Sequence, residues 1–198
     1  MFNDTTSPLR LLATRRSGKP RDMVAPGPDE AALREMIALA MRTPDHGKLA
    51  PWRFVIVPAE RRGELAATLA EAYRAEKPDA RESEAEAMVQ FAHQAPTLVV
   101  VLSSPSPQAK IPVWEQELSA GAACMNLLHA VHASGYVAGW LTGWAAYSPQ
   151  VRDAFGAEPE RIVGFVFIGT PGRALDERPR PDPATLTRVW QGAGRAGE

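Results

Sequence analysis

The chain has 198 residues, of which 45% are hydrophobic and 23% charged, and 22 basic against 23 acidic side chains leave a formal net charge of −1. That length supports one well-buried core and crowds two. The near-neutral balance excludes a global field that recruits nucleic acid or an acidic membrane surface, so any anion site must be local. The single cysteine, Cys124, excludes an internal disulfide and any multi-cysteine metal site, and it fits a reducing compartment. Residues 1–8 are polar and lack the apolar run of a secretion signal. The longest mostly apolar stretch, residues 119–133, is interrupted by Asn126, His129 and His132 and is too short and polar to span a bilayer. A cytoplasmic location is the expectation.

In chain order, Ser7 as cap and Pro8 in the first turn predict a short helix over residues 8–13. It runs directly into Arg15-Arg16-Ser17-Gly18-Lys19. Residues 22–28 hold Pro26, Gly27 and Pro28 and read as a loop. Pro28-Asp29-Glu30 then opens a helix whose acidic first turn suits the helix dipole. Leu33, Met36, Ile37, Ala40 and Met41 give that helix one apolar face, and Pro44 ends it. A cationic, turn-prone segment follows, Arg42-Thr43-Pro44-Asp45-His46-Gly47-Lys48, leading into Pro51-Trp52-Arg53-Phe54.

Residues 52–57 form a run that is apolar apart from Arg53, with a β-branched bias, and read as a buried strand. Residues 60–77 are rich in Ala, Leu and Glu and read as a helix, and a more charged helix follows over residues 79–93. Residues 97–102 are the next strand, and a Ser/Pro loop leads to Pro112. A long helix over residues 112–134 ends at Gly135. Residues 136–142 read as a strand, 149–155 as a short helix and 161–168 as the last strong strand. Beyond Gly169, Pro171, Pro179, Pro181 and Pro183 argue against regular structure, while Arg173, Arg178, Arg180 and Arg188 dominate the charge. Such a tail suits wrapping over a surface, including that of a partner subunit. With no internal repeat and no linker, the reading is mixed α and β in one domain over residues 1–198.

Two segments carry candidate chemistry. Arg15, Arg16, Ser17 and Lys19 suit a phosphate: arginine presents paired donors and serine adds another without bulk. The competing explanation is a solvated cluster that complements the dipole of the preceding helix. In the second segment Asp45 can simply start a turn and His46 can be an exposed loop histidine. Yet loops between a firm helix and a buried strand are common places for binding residues, and Arg42 can reach the same site. His129 and His132 lie three apart on a helix, but no further ligand stands nearby, so core packing or capping outweighs metal binding. Cys124 reads as buried and inert. Gly135, Gly139 and Gly143 permit close backbone approach to a strand or a flat ligand. No nucleophile elbow, phosphate loop or dinucleotide fingerprint is present, and no catalytic acid, base or nucleophile stands out.

Taken together and in order, these motifs resemble the nitroreductase family of FMN-dependent oxidoreductases. The resemblance rests on Arg15-Arg16-Ser17-x-Lys19, Pro44-Asp45-His46, Pro51-Trp52-Arg53-Phe54, Ser119-Ala120-Gly121-Ala122-Ala123, Gly139-Trp140-Leu141-Thr142-Gly143 and Val163-Gly164-Phe165-x-Phe167-Ile168-Gly169-Thr170-Pro171. It covers residues 9–183. The Pro-Asp-His motif and Trp114-Glu115-Gln116-Glu117 are similar to the YdjA-like subgroup of short NAD(P)H nitroreductases.

The resemblance implies an α+β fold, a three-layer α/β/α sandwich with a mostly antiparallel central sheet, assembled as a domain-exchanged homodimer with FMN at each of two subunit interfaces. It implies that Arg15, Arg16, Ser17 and Lys19 of one subunit hold the phosphate, ribityl chain and pyrimidine edge. Arg42 and His46 come from the partner. Trp140, Leu141 and Thr142 line the isoalloxazine, with a backbone N–H near Thr142 facing flavin N5, and Arg178 or Arg180 adds a phosphate contact. The implied reaction is ping-pong: NAD(P)H reduces FMN, and a nitroaromatic or quinone-type acceptor then takes the electrons. Hydride chemistry belongs to the flavin, so no side-chain nucleophile is required, and a cation such as Lys19 stabilises the charge of reduced flavin. Subgroup members carry arginine directly after the tryptophan, where this chain has Leu141; Lys48 and Arg53 are the candidates to replace that charge. Two other readings compete: a non-catalytic flavin-binding or storage protein, and an interaction domain whose basic segments bind an acidic partner.

Overall fold

The computed structural model describes residues 2–192; Met1 and residues 193–198, the last part of the expected extended tail, lie outside the described residues. The elements run α1 (Pro8–Thr14), β1 (Met23–Val24), α2 (Glu30–Ala40), β2 (Trp52–Val57), α3 (Arg62–Glu76), α4 (Glu82–Ala92), β3 (Thr97–Ser103), α5 (Val113–Ala133), β4 (Val137–Leu141), α6 (Pro149–Asp153), β5 (Arg161–Pro171) and α7 (Pro183–Leu186). The first two helix starts have a local cause: the Ser7 side chain accepts from Arg10 N and the Asp29 side chain from Ala32 N, satisfying donors that a helix leaves open.

All strand pairs are antiparallel. β5 is the hub of the sheet, pairing with β1, β3 and β4, while β2 adds to the far side of β3. β3 is buried from Leu98 to Ser103 because helices cover both faces of the sheet, and its pleat sends alternate residues to opposite sides. Leu98, Val100 and Leu102 join Phe165 and Phe167 of β5 and Leu65, Leu69 and Ala92 of α3 and α4 in one core. Val99 and Val101 join Val166 and Ile168 of β5 and Met36, Leu127 and Val131 of α2 and α5 in the other. The result is the expected three-layer α/β/α sandwich.

The turn from α5 into β4 fixes where β4 begins. Gly135 adopts φ +88°, and the N–H groups of Gly135 and Tyr136 donate to His132 O (3.1 Å) and Val131 O (3.2 Å). This glycine-dependent cap reverses the chain at once, so β4 starts two residues later against β5.

The structure departs from the sequence reading in three places. The loop expected over residues 22–28 contains β1, two residues that pair with Thr170 and Pro171. The last strand therefore runs past Ile168 to Pro171, and the proline sits at the strand's end, where its missing N–H costs little. The tail is not wholly irregular either: Pro183 opens the single turn α7, capped by the Asp182 side chain accepting from Ala184 N.

Candidate functional site

The cationic segment after α1 lies on the sheet. Arg15 closes α1, its N–H donating to Leu11 O at 2.9 Å, and the chain then extends alongside β4, where Gly18 N donates to Ala138 O at 3.1 Å. The fit is close. A Cβ on Gly139 would stand 2.6 Å from Gly18 O, so only glycine lets β4 and the cationic segment approach this far. The segment bearing Arg15, Arg16, Ser17 and Lys19 thus lies along β4 at Ala138 and Gly139. Trp140, Leu141 and Thr142 end that strand and follow it, outside the lining of the cleft that the tail closes over this segment. The Trp140 indole lies against Gly164 and donates to Val163 O at 2.9 Å, leaving the ring partly exposed.

The tail folds over this segment. A cleft of about 200 Å³ is lined by Ser17, Lys19, Asp22, Arg173, Asp176 and Arg178, among others. Asp176 stands 3.8 Å from Lys19 Nζ, Glu177 pairs with Arg16, and Arg173 reaches Asp22 at 3.3 Å. Burial lowers the affinity of Arg15 for its proton, and the like charges of Arg180 and Arg16 lower it further. The charges of Arg15 and Arg180 thus oppose one another, and a bound anion relieves that repulsion. Of the two tail arginines, Arg178 lines the cleft, and Arg180 pairs with Glu177 at 3.5 Å.

Arg42 and His46 do not line that cleft. Arg42 follows α2 and lines a shallow depression with Leu11, Leu39, Asn126 and His129. His46 Nδ1 lies 2.8 Å from Glu115 Oε2, and both line a second depression with Pro44, Leu118 and Ser119. The segment bearing them is pinned to α5: Ser119 Oγ donates to Pro44 O (2.6 Å) and Asn126 Nδ2 to Thr43 Oγ1 (2.7 Å). Asp45 is the turn former that its residue type allows. Its carboxylate accepts from Leu49 N and Ala50 N, supporting left-handed Lys48 (φ +56°) and Ala50 (φ +47°).

Several other candidates resolve in structural terms. Gln116, within the Trp-Glu-Gln-Glu signature, is buried and pins the preceding loop by bonding Ser106 N, Ser106 O and Ile111 O. Arg53 is already engaged and does not replace the charge missing at Leu141. Its Nε and a terminal nitrogen each reach a Glu160 oxygen at 2.6 Å, and this pairing holds the Glu160 carboxyl down to about 2. Cys124 is buried, which pushes its thiol up and leaves it inert. His132 is a core residue. Burial first, then Arg15 and His129, push it down to about 4. No cluster of metal-ligating side chains occurs among the described residues.

Sequence reasoning missed the carboxylates of Asp176 and Glu177, because nothing local shows which distant cations a tail residue will meet.

The nitroreductase family model matches residues 12–170. Over 184 residues, 92% of this chain and 98% of the relative, the sequence is 35% identical to an Escherichia coli K12 protein named "Putative NAD(P)H nitroreductase YdjA". A nitroreductase-like protein from Bacillus cereus superposes with a TM-score of 0.82 at 22% identity, covering 94% of this chain and 97% of that one. A Desulfovibrio desulfuricans protein, described as a putative nitroreductase in complex with FMN, superposes with a TM-score of 0.70 at 21% identity, covering 92% and 97%.

Proposed function

The chain belongs to the nitroreductase family, and we propose that it is an FMN-dependent oxidoreductase acting as a homodimer on NAD(P)H and small nitroaromatic or quinone-type acceptors. One observation carries the reading: Ser17 and Lys19 from the start of the chain and Arg173 and Arg178 from its tail line one cleft, and the nearby Arg15 feels the like charge of Arg180. A dianionic phosphate matches those cations, and in this reading the partly exposed Trp140 with the backbone at Thr142, at the end of β4, supplies a planar surface and a donor. The name of the E. coli relative and the FMN in the D. desulfuricans protein point the same way.

In this reading Arg15 and Arg180 grip the phosphate, and Arg178 and Ser17 add donors. Lys19 exchanges its tail partner Asp176 for the pyrimidine edge of the ring. Arg42 and His46 do not line this cleft, and in this reading they complete the site of a second subunit. Exposed apolar side chains surround them on α1, α2 and α5, among them Leu12, Leu39, Met41 and Leu118, which suits an interface. Bound FMN supplies the hydride chemistry, accepting from NAD(P)H and passing electrons to the acceptor in turn. The protein's part is to bind and orient.

Anaerobic mixing of the yellow purified protein with NADH or NADPH bleaches the flavin absorbance if this is right. Flavin that stays oxidised under both reductants leaves a flavin-binding protein and removes the enzyme. The double substitution Arg15→Ala, Lys19→Ala yields folded, colourless protein; retention of full FMN content by that variant overturns the placement of the site.

A further inference from the structure

A second cavity lies toward the other end of β5. The start of β5, the end of β3 and the segment entering α6 enclose about 470 Å³, within the range of small-molecule sites. The cationic segment meets β4 at Ala138, which is paired with Ile168; the cavity reaches along β5 only to Val163. Five residues of strand, about 17 Å, separate the cavity from that contact, while Trp140 at the end of β4 reaches the cavity's edge by donating to Val163 O.

Its walls divide by chemistry. Ala146, Pro149, Ile162 and Val163 are apolar, and the exposed ring of Tyr147 stands at the rim. Two cations line it, Arg152 and Arg161. Arg152 gives its Nε to Asp153 (2.6 Å), while Arg161 has only a loose pairing with Glu117, at 3.9 Å. Glu160 adds no open negative charge, because Arg53 occupies both of its oxygens. Ser103, directly opposite Arg161 across the β3–β5 ladder, is 4% exposed, and its hydroxyl finds no partner among the described residues. A buried hydroxyl without a partner is destabilising, and a polar ligand atom removes that cost.

We propose that this cavity, which shares no lining residue with the cationic cleft, is a second binding site, for a flat aromatic monocarboxylate. The ring lies on Tyr147, Pro149 and Ile162, the carboxylate displaces Glu117 from Arg161 with Arg152 beside it, and Ser103 donates to the ligand. A neutral molecule of the same shape leaves the arginines unserved, so charge sets the preference.

Isothermal titration with 2-naphthoate tests this on wild-type protein in excess FMN, so that the flavin cleft is filled. Saturable binding is expected, with 2-naphthalenemethanol at least about tenfold weaker. Arg161→Gln raises the dissociation constant about tenfold or more, whereas Glu117→Gln lowers it by removing the competing carboxylate. Arg161 is largely exposed, so its substitution leaves the fold intact; circular dichroism checks this. Equal binding of acid and alcohol, absence of saturable binding, or an unchanged constant in Arg161→Gln each overturns the proposal. Persistence of naphthoate binding in the colourless Arg15→Ala, Lys19→Ala variant is expected, and its loss there means that the ligand sits in the flavin cleft instead.

Discussion

His132 shows how a single side chain can set a pH dependence for the whole fold. It is fully buried on α5, with Phe2 packed edge-on at 6.2 Å between ring centroids and neither ring nitrogen partnered among the described residues. Burial is the main reason that its proton affinity drops from the usual 6.5 to about 4, with Arg15 and His129 adding repulsion. The folded state thus holds the neutral ring while the unfolded chain still takes up a proton. Its contribution to stability is complete above pH 6.5 and is lost as pH falls through 4, with a slope of at most about 1.4 kcal/mol per pH unit. Melting temperature should therefore fall between pH 6.5 and 4, and His132→Leu should flatten that fall. An equally steep profile in the variant would show that other groups set it. The sequence reading favoured core packing over metal binding from the lack of a third ligand; it had no means of finding Arg15 beside the ring.

At the scale of elements, the decisive contact is β4 against the segment after α1. Both were legible alone, β4 from its apolar run ahead of a glycine-rich turn and the segment from its charge. Their contact was not, because a hydrogen bond from Gly18 to Ala138 joins opposite ends of the chain and leaves no local periodicity. Gly139 is the residue on which this contact depends. Gly139→Ala drives a methyl into the Gly18 carbonyl, and backbone yields less readily than a side-chain tip. A destabilisation of about 1–3 kcal/mol is expected, from overpacking. Flavin content of the purified variant should fall as the cationic segment moves off the strand. A stable variant with normal flavin content would mean that the segment is free to shift without consequence. The two-residue β1 was missed for a related reason: it exists only because Thr170 and Pro171 pair with it, inside a stretch whose prolines and glycine read as a loop.

For the whole molecule, the cleft formed by Ser17 and Lys19 and the depressions holding Arg42 and His46 lie apart on one chain. In the proposed dimer two such half-sites come together, and the exposed apolar side chains of α1, α2 and α5 are the proposed surface to bury. Leu118→Glu places a charge in the middle of the His46 depression. Sedimentation should then give the mass of one chain where wild type gives twice that mass, with FMN lost in parallel. A monomer that keeps FMN would show that Arg42 and His46 are not needed for the cofactor, and an unchanged dimer would move the interface elsewhere. The exposed Leu186, Val189 and Trp190 of the tail add apolar surface for a neighbour, which suits the wrapping role expected of that proline-rich segment.

By itself the sequence determined the order of the longer elements, the α+β class and the family, because helix caps, apolar periodicity and short motifs are local signals that neighbouring residues carry. Only the tertiary structure decided which cations oppose one another, that Arg53 is committed to Glu160, that Asp176 and Glu177 sit on the cationic segment, and that an unserved hydroxyl and two arginines share a cavity. Those facts depend on contacts between residues far apart in the chain. They arise from packing helices on both faces of one sheet, which no local pattern encodes.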